Sequence, residues 1–233
     1  MKKAGILAAG DGLRLKSVSA YKPIVKVCGS PLLELTLQNL QFKNFEKIAL
    51  IFNNEEKGMD LSLLPSLKIL NVDFFFKSTP SSMHSLYEVS QRLDIQPGEH
   101  FFISMVDSIV KPEDAKKFHQ FCLTLKNDES AIIVTPFIED EKPLTLKVNS
   151  QNYITEFQCP ITEDVLITSG VYYLSAQVLP LLKEMIQTGQ MKMRTFLTEL
   201  IKRNHKIKGF QISKTLDIDR PEDIQSAEAF LKE

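Results

Sequence analysis

The first apolar strand of this chain runs directly into a glycine loop, and no other segment constrains the fold as much. The junction reads Gly5-Ile6-Leu7-Ala8-Ala9-Gly10-Asp11-Gly12-Leu13-Arg14-Leu15. Gly10 and Gly12 lack a Cβ, so both can adopt a positive φ and let backbone N–H groups approach phosphate oxygens, while Arg14 adds a bidentate cation. The spacing excludes a Walker A loop, which needs Gly-Lys-Ser/Thr, and a dinucleotide fingerprint, which needs a third glycine at Leu15. The junction predicts a polyphosphate site at the end of the first strand.

Hydrophobic periodicity predicts the class of fold. Short strands are predicted at 4–8, 47–52, 70–75, 100–106, 131–137, 144–148, 153–157 and 207–212, with a hairpin turn at 149–152. Helices are predicted from Pro31, with Ser30 as the N-cap, from Pro112, and at 178–186, 196–201 and 221–231. We therefore predict one α/β domain over residues 1–233, in which a mixed, mostly parallel sheet lies between two layers of helices.

Composition limits the classes of partner. With 233 residues, of which 43% are hydrophobic, the chain can bury one sizeable core, and its formal net charge of −1 offers no general attraction for nucleic acid or anionic membrane. The three cysteines (Cys28, Cys122 and Cys159) are odd in number and widely spaced, which argues against a disulfide framework and against a zinc site. No apolar run approaches the ~18 residues of a membrane span, and the run before Gly10 is too short for a signal peptide. We expect a soluble, cytoplasmic protein.

A second segment strengthens the phosphate interpretation. Lys22 precedes Pro23 in Tyr21-Lys22-Pro23-Ile24-Val25-Lys26-Val27-Cys28-Gly29-Ser30-Pro31-Leu32-Leu33. Together the two segments resemble the signature of the nucleotidyltransferase superfamily, L-A-A-G-x-G-x-R-L and then K-P-L-x-x-V-x-G-x-P-L, best known in sugar-1-phosphate nucleotidyltransferases. The resemblance implies a Rossmann-like, GT-A-like fold and catalytic roles for Arg14 and Lys22 beside the leaving pyrophosphate. It also implies that a nucleoside triphosphate is bound by Leu7, Ala8, Ala9, Gly10, Asp11 and Gly12.

A bound triphosphate needs a divalent cation, and Mg²⁺ prefers carboxylate oxygens. Asp107 ends the strand at 100–106, where ligands of α/β sheets bind, although an aspartate there also suits a cap or turn. The resemblance implies that Asp107 is a metal ligand, with valine in place of the residue that usually precedes it. The segment 213–224 resembles the closing element W-L-D-x-G-T-P-E-D-L, which implies Asp217 as the second ligand of Mg²⁺. Asp219 is the alternative ligand, or the N-cap of a helix opened by Pro221.

Two further segments suggest base and acceptor contacts. Residues 78–87 resemble the element G-T-A-x-S/A-L, which implies that Ser85 lies near the nucleotide base; a helix capped by Ser81 or Ser82 is the simpler explanation. Residues 166–174 resemble the strand N-x-G-x-Y-x-F, which implies that Ser169 and Gly170 contact the acceptor.

The acceptor phosphate lacks its usual partner in this chain. Sugar enzymes of the resembled family commonly carry Glu-Lys-Pro where this chain has Gln158-Cys159-Pro160, so both charges are missing. A literal Glu141-Lys142-Pro143 precedes the strand at 144–148 instead of following the hairpin, and we interpret it as coincidental. Another cation, Lys214 or Lys192, would have to bind the acceptor phosphate.

The resemblance implies transfer of a nucleoside monophosphate from a nucleoside triphosphate to a phosphorylated small molecule, first of all a sugar 1-phosphate, with release of pyrophosphate. Two alternatives stay open. One is a cytidylyltransferase-type enzyme for another acceptor, such as phosphocholine. The other is an inactive regulator that binds a nucleotide or sugar nucleotide, which the missing Glu-Lys-Pro charges favour and the presence of Arg14, Lys22, Asp107 and Asp217 opposes.

Overall fold

The computed structural model describes residues 3–41, 45–139 and 142–233; Glu141 of the literal Glu-Lys-Pro lies outside them. The strands are β1 (Lys3–Ala8), β2 (Lys26–Val27), β3 (Ser30–Pro31), β4 (Lys47–Phe52), β5 (Val72–Phe76), β6 (His100–Met105), β7 (Ser108–Ile109), β8 (Glu129–Thr135), β9 (Thr145–Val148), β10 (Ile154–Phe157), β11 (Leu166–Ser175), β12 (Lys206–Gln211) and β13 (Leu216–Asp217). The helices are α1 (Leu32–Gln38), α2 (Ser66–Ile69), α3 (Ser82–Leu93), α4 (Pro112–Cys122), α5 (Leu179–Gln187), α6 (Met193–Lys202) and α7 (Pro221–Lys232).

Strand β1 lies at the centre of a parallel half-sheet, with β4 on one side and β6 on the other, and β5 continues the parallel order beyond β4. These strands are short runs of buried apolar residues because both faces of the half-sheet are covered. Gly5 in β1 allows α3 to pack closely, since a Cβ there would overlap Val89 and lie 2.7 Å from Ile103 Cδ1. The parallel half-sheet therefore brings the ends of β1, β4 and β6 to one edge.

The other half of the nine-stranded sheet is largely antiparallel. Strand β11 pairs with β6 along one side and with β8 and β9 along the other, while β12 runs parallel to β8. The register between β11 and β8 shifts between Thr168 and Tyr172. The predicted hairpin forms from β9 and β10, and Asn152 in its turn has φ 62°. The sheet is thus mixed, as predicted.

Helices cover both faces of the sheet, so the predicted three-layer α/β/α architecture is confirmed. One core contains side chains from α1, α4 and α7, among them Leu33, Phe118 and Phe230. The core on the opposite face contains side chains from α3, α5 and α6, among them Leu86 and Phe196. Each fully buried side chain of this size contributes about 1.5–3 kcal/mol to folding. Cys122 belongs to the first core, as its helical spacing predicts.

The structure corrects several element boundaries. Ser30 is not the N-cap of α1, because Ser30 and Pro31 form β3 and pair with β2 around a turn in which Cys28 and Gly29 have φ 51° and 79°. The predicted strand at 70–75 begins two residues later, after the short helix α2. The start of the predicted helix at 178–186 is a 3₁₀ turn, and α5 begins at Leu179. Within the described ranges, no helix is both long and apolar enough to cross a membrane.

Candidate active site

The polar groups of the candidate site gather where the parallel strands end. The glycine loop follows β1, Asn53 follows β4, and Asp107 comes two residues after β6. Parallel neighbours have their carboxyl ends at the same edge of a sheet, which is where ligands of α/β proteins bind. Three segments that are far apart in sequence are therefore close in space.

The glycine loop is held by the side chain of Asn53. The buried side chain of Asn53 donates hydrogen bonds from Nδ2 to the Ala9 carbonyl oxygen at 3.2 Å and to Asp11 Oδ1 at 3.0 Å. Its Oδ1 accepts a hydrogen bond from Ser78 Oγ at 2.7 Å. The only signal in the sequence is the place of Asn53, directly after a buried strand that belongs to the parallel sheet.

Gly12 has the left-handed conformation that the loop requires, with φ 55°, and it precedes a short 3₁₀ helix at Leu13–Leu15. A Cβ at Gly12 would lie 2.7 Å from Lys22 Cβ, so glycine is needed both for the backbone and for the approach of Lys22. Gly10 is different: its φ is not positive, and the position of a Cβ has no atom within 4 Å. The positive φ considered for both glycines is confirmed at Gly12 alone.

Lys22 joins two carboxylates at the centre of the site. Its Nζ lies 2.7 Å from Asp107 Oδ2 and 2.7 Å from Asp219 Oδ1, and the lysine side chain is only 8% exposed. Burial by itself lowers the pKa of Lys22, but the charges and hydrogen bonds of the two aspartates outweigh it and raise the pKa above its ordinary value. Lys22 is therefore a permanently charged ammonium group.

A two-stranded ribbon brings the second predicted metal ligand beside the first. Strands β7 and β13 pair antiparallel, so that Asp217 lies opposite Ser108, and the Ile218 N–H donates to the Asp107 carbonyl oxygen at 3.0 Å. Ser108 Oγ donates a hydrogen bond to Asp217 Oδ1 at 2.8 Å. Although Asp217 as a residue is exposed, the protein atoms crowded around its carboxyl group reduce its solvation, and this, together with the charge of Asp107, raises the pKa of Asp217 above its ordinary value. A cation beside Asp217 would favour its charged carboxylate form and so oppose both effects.

The chemistry of these side chains fits a magnesium ion shared with a substrate. Among residues 3–41, 45–139 and 142–233, no group of three or more His, Cys, Asp or Glu side chains is arranged as a complete metal site. Mg²⁺, however, commonly takes one or two carboxylates from a protein and its other oxygens from substrate phosphates and water. Asp107 and Asp217 each use one oxygen in the protein hydrogen bonds given above, which leaves a second oxygen for an ion.

Three neighbouring cavities surround these groups. One, of about 150 Å³, is lined by Leu7, Ala9, Gly10, Asp11, Lys22, Ser85 and Asp107 among others, and we name it the nucleotide cleft after the role predicted for these residues. The largest of the three, of about 360 Å³, also reaches Asp107 and includes Asp217 and Gly170, and we name it the acceptor cavity after the role predicted for Gly170. Arg14 lines a third cavity of about 90 Å³, together with Asp217, Asp219 and Arg220. Asp107 thus lines both of the first two cavities, and Asp217 lines both of the last two.

Gly170 shapes the floor of the acceptor cavity at the register shift in β11. It has φ 74°, and a Cβ there would overlap Ser108 Oγ and lie 2.9 Å from Met105 Cγ. Because Ser108 donates a hydrogen bond to Asp217, any movement of Ser108 is transmitted to the carboxylate. Because Gly170 has no side chain, Ser108 has room to hold its hydrogen bond to Asp217.

Replacing Gly170 by alanine is expected to reduce the free energy of unfolding by about 1–3 kcal/mol and to slow turnover, since the new methyl group strains the backbone and displaces Ser108. Chemical denaturation and steady-state rates measure the two effects. Gly98→Ala is the matched control, because Gly98 also has a positive φ, 83°, but has no atom within 4 Å of a Cβ. Equal losses in the two variants would show that backbone strain alone acts and that Ser108 does not transmit the change.

Of the remaining residues predicted for the site, some line the cavities and others do not. Ser85 lies in the nucleotide cleft with its Oγ 2.6 Å from Thr79 Oγ1, and Ser81 caps α3 as the simpler explanation requires. Ala8 and Ser169 are buried and are not among the residues that line the three cavities. Lys214 Nζ lies 4.3 Å from the centroid of the Phe137 ring, outside the acceptor cavity.

The acceptor cavity contains cations that the sequence patterns did not bring together. Lys192, the second cation considered for the acceptor phosphate, lines it together with Lys142, Pro143 and Arg194.

Asp219 does not cap α7; its carboxylate binds Lys22, while its N–H donates to Asp223 Oδ2 at 2.8 Å. The local sequence gives no sign that Asp219 lies next to Lys22, because the two residues are 197 positions apart.

Comparison with known proteins supports one family. The family model described as "Nucleotidyl transferase" matches residues 3–233. A search of curated proteins finds no match.

Solved structures share the fold over the whole chain. The inositol-1-phosphate CTP transferase from T. maritima has 22% sequence identity and a TM-score of 0.77, covering 100% of this chain and 97% of that one. A putative glucose-1-phosphate thymidylyltransferase from Bacillus anthracis, in complex with a sucrose, has 17% identity and a TM-score of 0.81, with coverage of 100% and 96%. A UDP-glucose pyrophosphorylase complexed with UDP-glucose has 16% identity and a TM-score of 0.79, with coverage of 100% and 99%.

Proposed function

This chain belongs to the nucleotidyl transferase family, and from that premise we propose that it transfers a nucleoside monophosphate from a nucleoside triphosphate to a sugar 1-phosphate or a closely related phosphorylated polyol, with release of pyrophosphate. The similar structures named above act on, or contain, ligands of this class, according to their descriptions. The proposal concerns the acceptor and the cofactor, Mg²⁺; nucleotidyl transfer itself follows from the family.

One observation carries the proposal: Asp107 lines both the nucleotide cleft and the larger acceptor cavity. Nucleotidyl transfer requires two anionic substrates to meet at one phosphorus atom, with a cation where their charges come together. Asp107, whose side chain is 16% exposed, and the more exposed Asp217 both line the acceptor cavity, and they are the carboxylates expected to hold that cation. The arrangement supports a two-substrate reaction at this point.

The proposed reaction is a single in-line displacement. An oxygen of the acceptor phosphate forms a bond to the α-phosphorus, and the bond from the α-phosphorus to the β-phosphate bridging oxygen breaks, so that pyrophosphate leaves with the electron pair. Lys22, charged and nearly buried, and Arg14 hold the phosphates of the leaving group and neutralise their charge. Asp107 and Asp217 would hold Mg²⁺, which supplies further charge neutralisation when bound. The glycine loop positions the triphosphate through its backbone N–H groups.

The lining of the acceptor cavity favours a hydroxylated acceptor. Recognition of a quaternary ammonium such as choline uses aromatic rings packed around the cation. Among the described residues that line this cavity, Tyr172 is the sole aromatic side chain, and it is buried. Ser81, Ser82 and Thr168 line the same cavity and can exchange hydrogen bonds with hydroxyl groups.

Pyrophosphate release tests the proposal directly. The protein is incubated with Mg²⁺, each of CTP, UTP, GTP, ATP and dTTP, and each of a panel of sugar 1-phosphates, inositol 1-phosphate and phosphocholine. We expect release with one nucleotide and with a sugar or inositol phosphate, and loss of release when EDTA is added.

Two outcomes would overturn the proposal. Release with phosphocholine alone would assign the protein to the cytidylyltransferase-type alternative. Silence across the panel, with nucleotide binding measured by calorimetry, would assign it to the regulatory alternative. Asp128→Asn is a suitable control for the loss of a carboxylate far from the site, because Asp128 pairs with Lys206 at the opposite end of the sheet.

A further inference from the structure

The charged residues that line the acceptor cavity form two sets of opposite sign. Asp107, Asp217 and Asp219 are the acidic set, and the remaining charged residues of the lining are Lys142, Lys192 and Arg194. We call these three cations the basic wall. The basic residues attract anions and the acidic residues attract cations. This suits a cavity that receives a phosphate next to a metal ion.

The basic wall is held together by the protein backbone. Arg194 lies in the first turn of α6, and its Nη2 donates a hydrogen bond to the Lys142 carbonyl oxygen at 3.0 Å. This bond ties the segment before β9 to the start of α6. The guanidinium group has five N–H donors in a fixed plane, so the others can face an anion in the cavity.

The cations of α6 are poorly placed for helix stability. Lys192 is the N-cap residue and makes no side-chain capping hydrogen bond, and no residue of the first turn is acidic. A positive charge at the N-terminus of a helix interacts unfavourably with the helix dipole. None of the ion pairs between described residues joins a carboxylate to Lys192 or Arg194. A bound anion would compensate both.

The segment where similar enzymes carry Glu-Lys-Pro cannot fill this role here. Gln158 has φ 60°, and its Nε2 donates a hydrogen bond to Thr198 Oγ1 on α6 at 2.9 Å. Cys159 is buried, and its carbonyl oxygen accepts a hydrogen bond from Thr145 Oγ1 at 2.7 Å. Neither residue offers a positive charge. The phosphate of an acceptor must therefore find its cations elsewhere in the cavity.

We propose that the basic wall of Lys142, Lys192 and Arg194 binds the phosphate dianion of the acceptor and takes the place of the missing Glu-Lys-Pro. The inference rests on the proposed function, because it assumes that the acceptor is a phosphomonoester. Arg194 grips two phosphate oxygens and Lys192 neutralises the dianion. The acceptor body then lies against the hydroxyl side chains and methionines of the cavity, with one phosphate oxygen directed toward the reaction centre.

The double variant Lys192→Met with Arg194→Gln tests the inference. We expect KM for the acceptor to rise about 100-fold or more, since two cations that form charge-assisted hydrogen bonds to the phosphate are lost. KM for the nucleoside triphosphate should stay within about twofold. Calorimetric titration with glucose 1-phosphate and with inositol 1-phosphate, in the absence of nucleotide, should show a parallel loss of affinity. Lys202→Met, in the last turn of the same helix, is the matched control and should match the wild type.

The outcomes separate this inference from the proposed function. If the wild type turns over and the folded double variant keeps its acceptor KM, the basic wall does not bind the acceptor. If KM for the nucleotide rises as much as KM for the acceptor, the wall binds triphosphate, and the inference is also wrong. If no substrate pair turns over but glucose 1-phosphate binds to the wild type and not to the double variant, the proposed reaction fails while the anion site stands. Circular dichroism melting curves confirm that each variant is folded.

Discussion

Replacement of Asp107 by asparagine is expected to lower the rate of pyrophosphate release by about a thousandfold, which is about 4 kcal/mol of transition-state stabilisation. Asparagine has nearly the same shape and can still accept the hydrogen bond from Lys22 Nζ, so the fold should persist. It lacks the negative charge that a magnesium ion requires at the junction of the two cavities. Steady-state rates at saturating Mg²⁺ measure the loss, and calorimetric titration with Mn²⁺ should show weaker metal binding in the presence of nucleotide.

The control for this prediction is Asp128→Asn, which removes one exposed carboxylate from the amino end of β8. It should retain the wild-type rate. Wild-type turnover by Asp107→Asn would contradict the assignment of Asp107 as a metal ligand. Weakened metal binding without a change in rate would mean that the ion seen in calorimetry is not the one that assists transfer.

The variant Lys22→Met is expected to slow transfer by about 100- to 1000-fold, because the charge that neutralises the leaving phosphates is lost. The same change should lower the free energy of unfolding in metal-free buffer by about 2 kcal/mol, since Asp107, Asp217 and Asp219 then repel one another without a counter-ion. This is less than the loss for a fully buried ion pair, because Asp219 is half exposed. Added Mg²⁺ should restore part of the stability of the variant.

Lys26→Met is the matched control for Lys22, because Lys26 is exposed in the neighbouring strand β2. It should unfold and turn over like the wild type. Thermal melting curves with and without Mg²⁺ give the stability measurement, and initial rates give the kinetic one. If Lys22→Met melts at the wild-type temperature without metal, the lysine does not balance the carboxylates in the folded protein.

Much of the fold could be predicted because its strands carry strong local signals. Strands β1, β4 and β6 are continuous apolar runs, as expected for strands that are buried on both faces. Strands β7 and β13 could not be found in this way, since two residues are too few to show a period. The prediction of Ser30 as a helix N-cap was wrong because β3 is also only two residues long. A serine before proline resembles a helix start, but Ser30 pairs with β2 and is a strand residue.

The candidate site could be predicted in part. Residue type and spacing identify Lys22, Asp107 and Asp217, which line the cavities, and Gly12, which allows Lys22 to approach the loop. The role of Asn53 could not be predicted, because its hydrogen bonds to the glycine loop cross 42 and 44 residues of sequence. The surroundings of Lys214 could not be predicted from its charge, since the folded chain places its ammonium group over aromatic rings.

The sequence by itself determined the local properties of this protein: the left-handed turn at Gly12, the apolar strand before it, and an oxygen-rich set of side chains suited to magnesium and phosphate. Only the tertiary structure decided which charges meet. Lys22 and Asp219 are 197 residues apart and form an ion pair, and the Arg194 guanidinium donates a hydrogen bond to the Lys142 carbonyl oxygen across 52 residues. A local conformation depends on the stereochemistry of a few neighbouring residues, whereas the distance between two charges depends on which strands pair and how the helices pack over them.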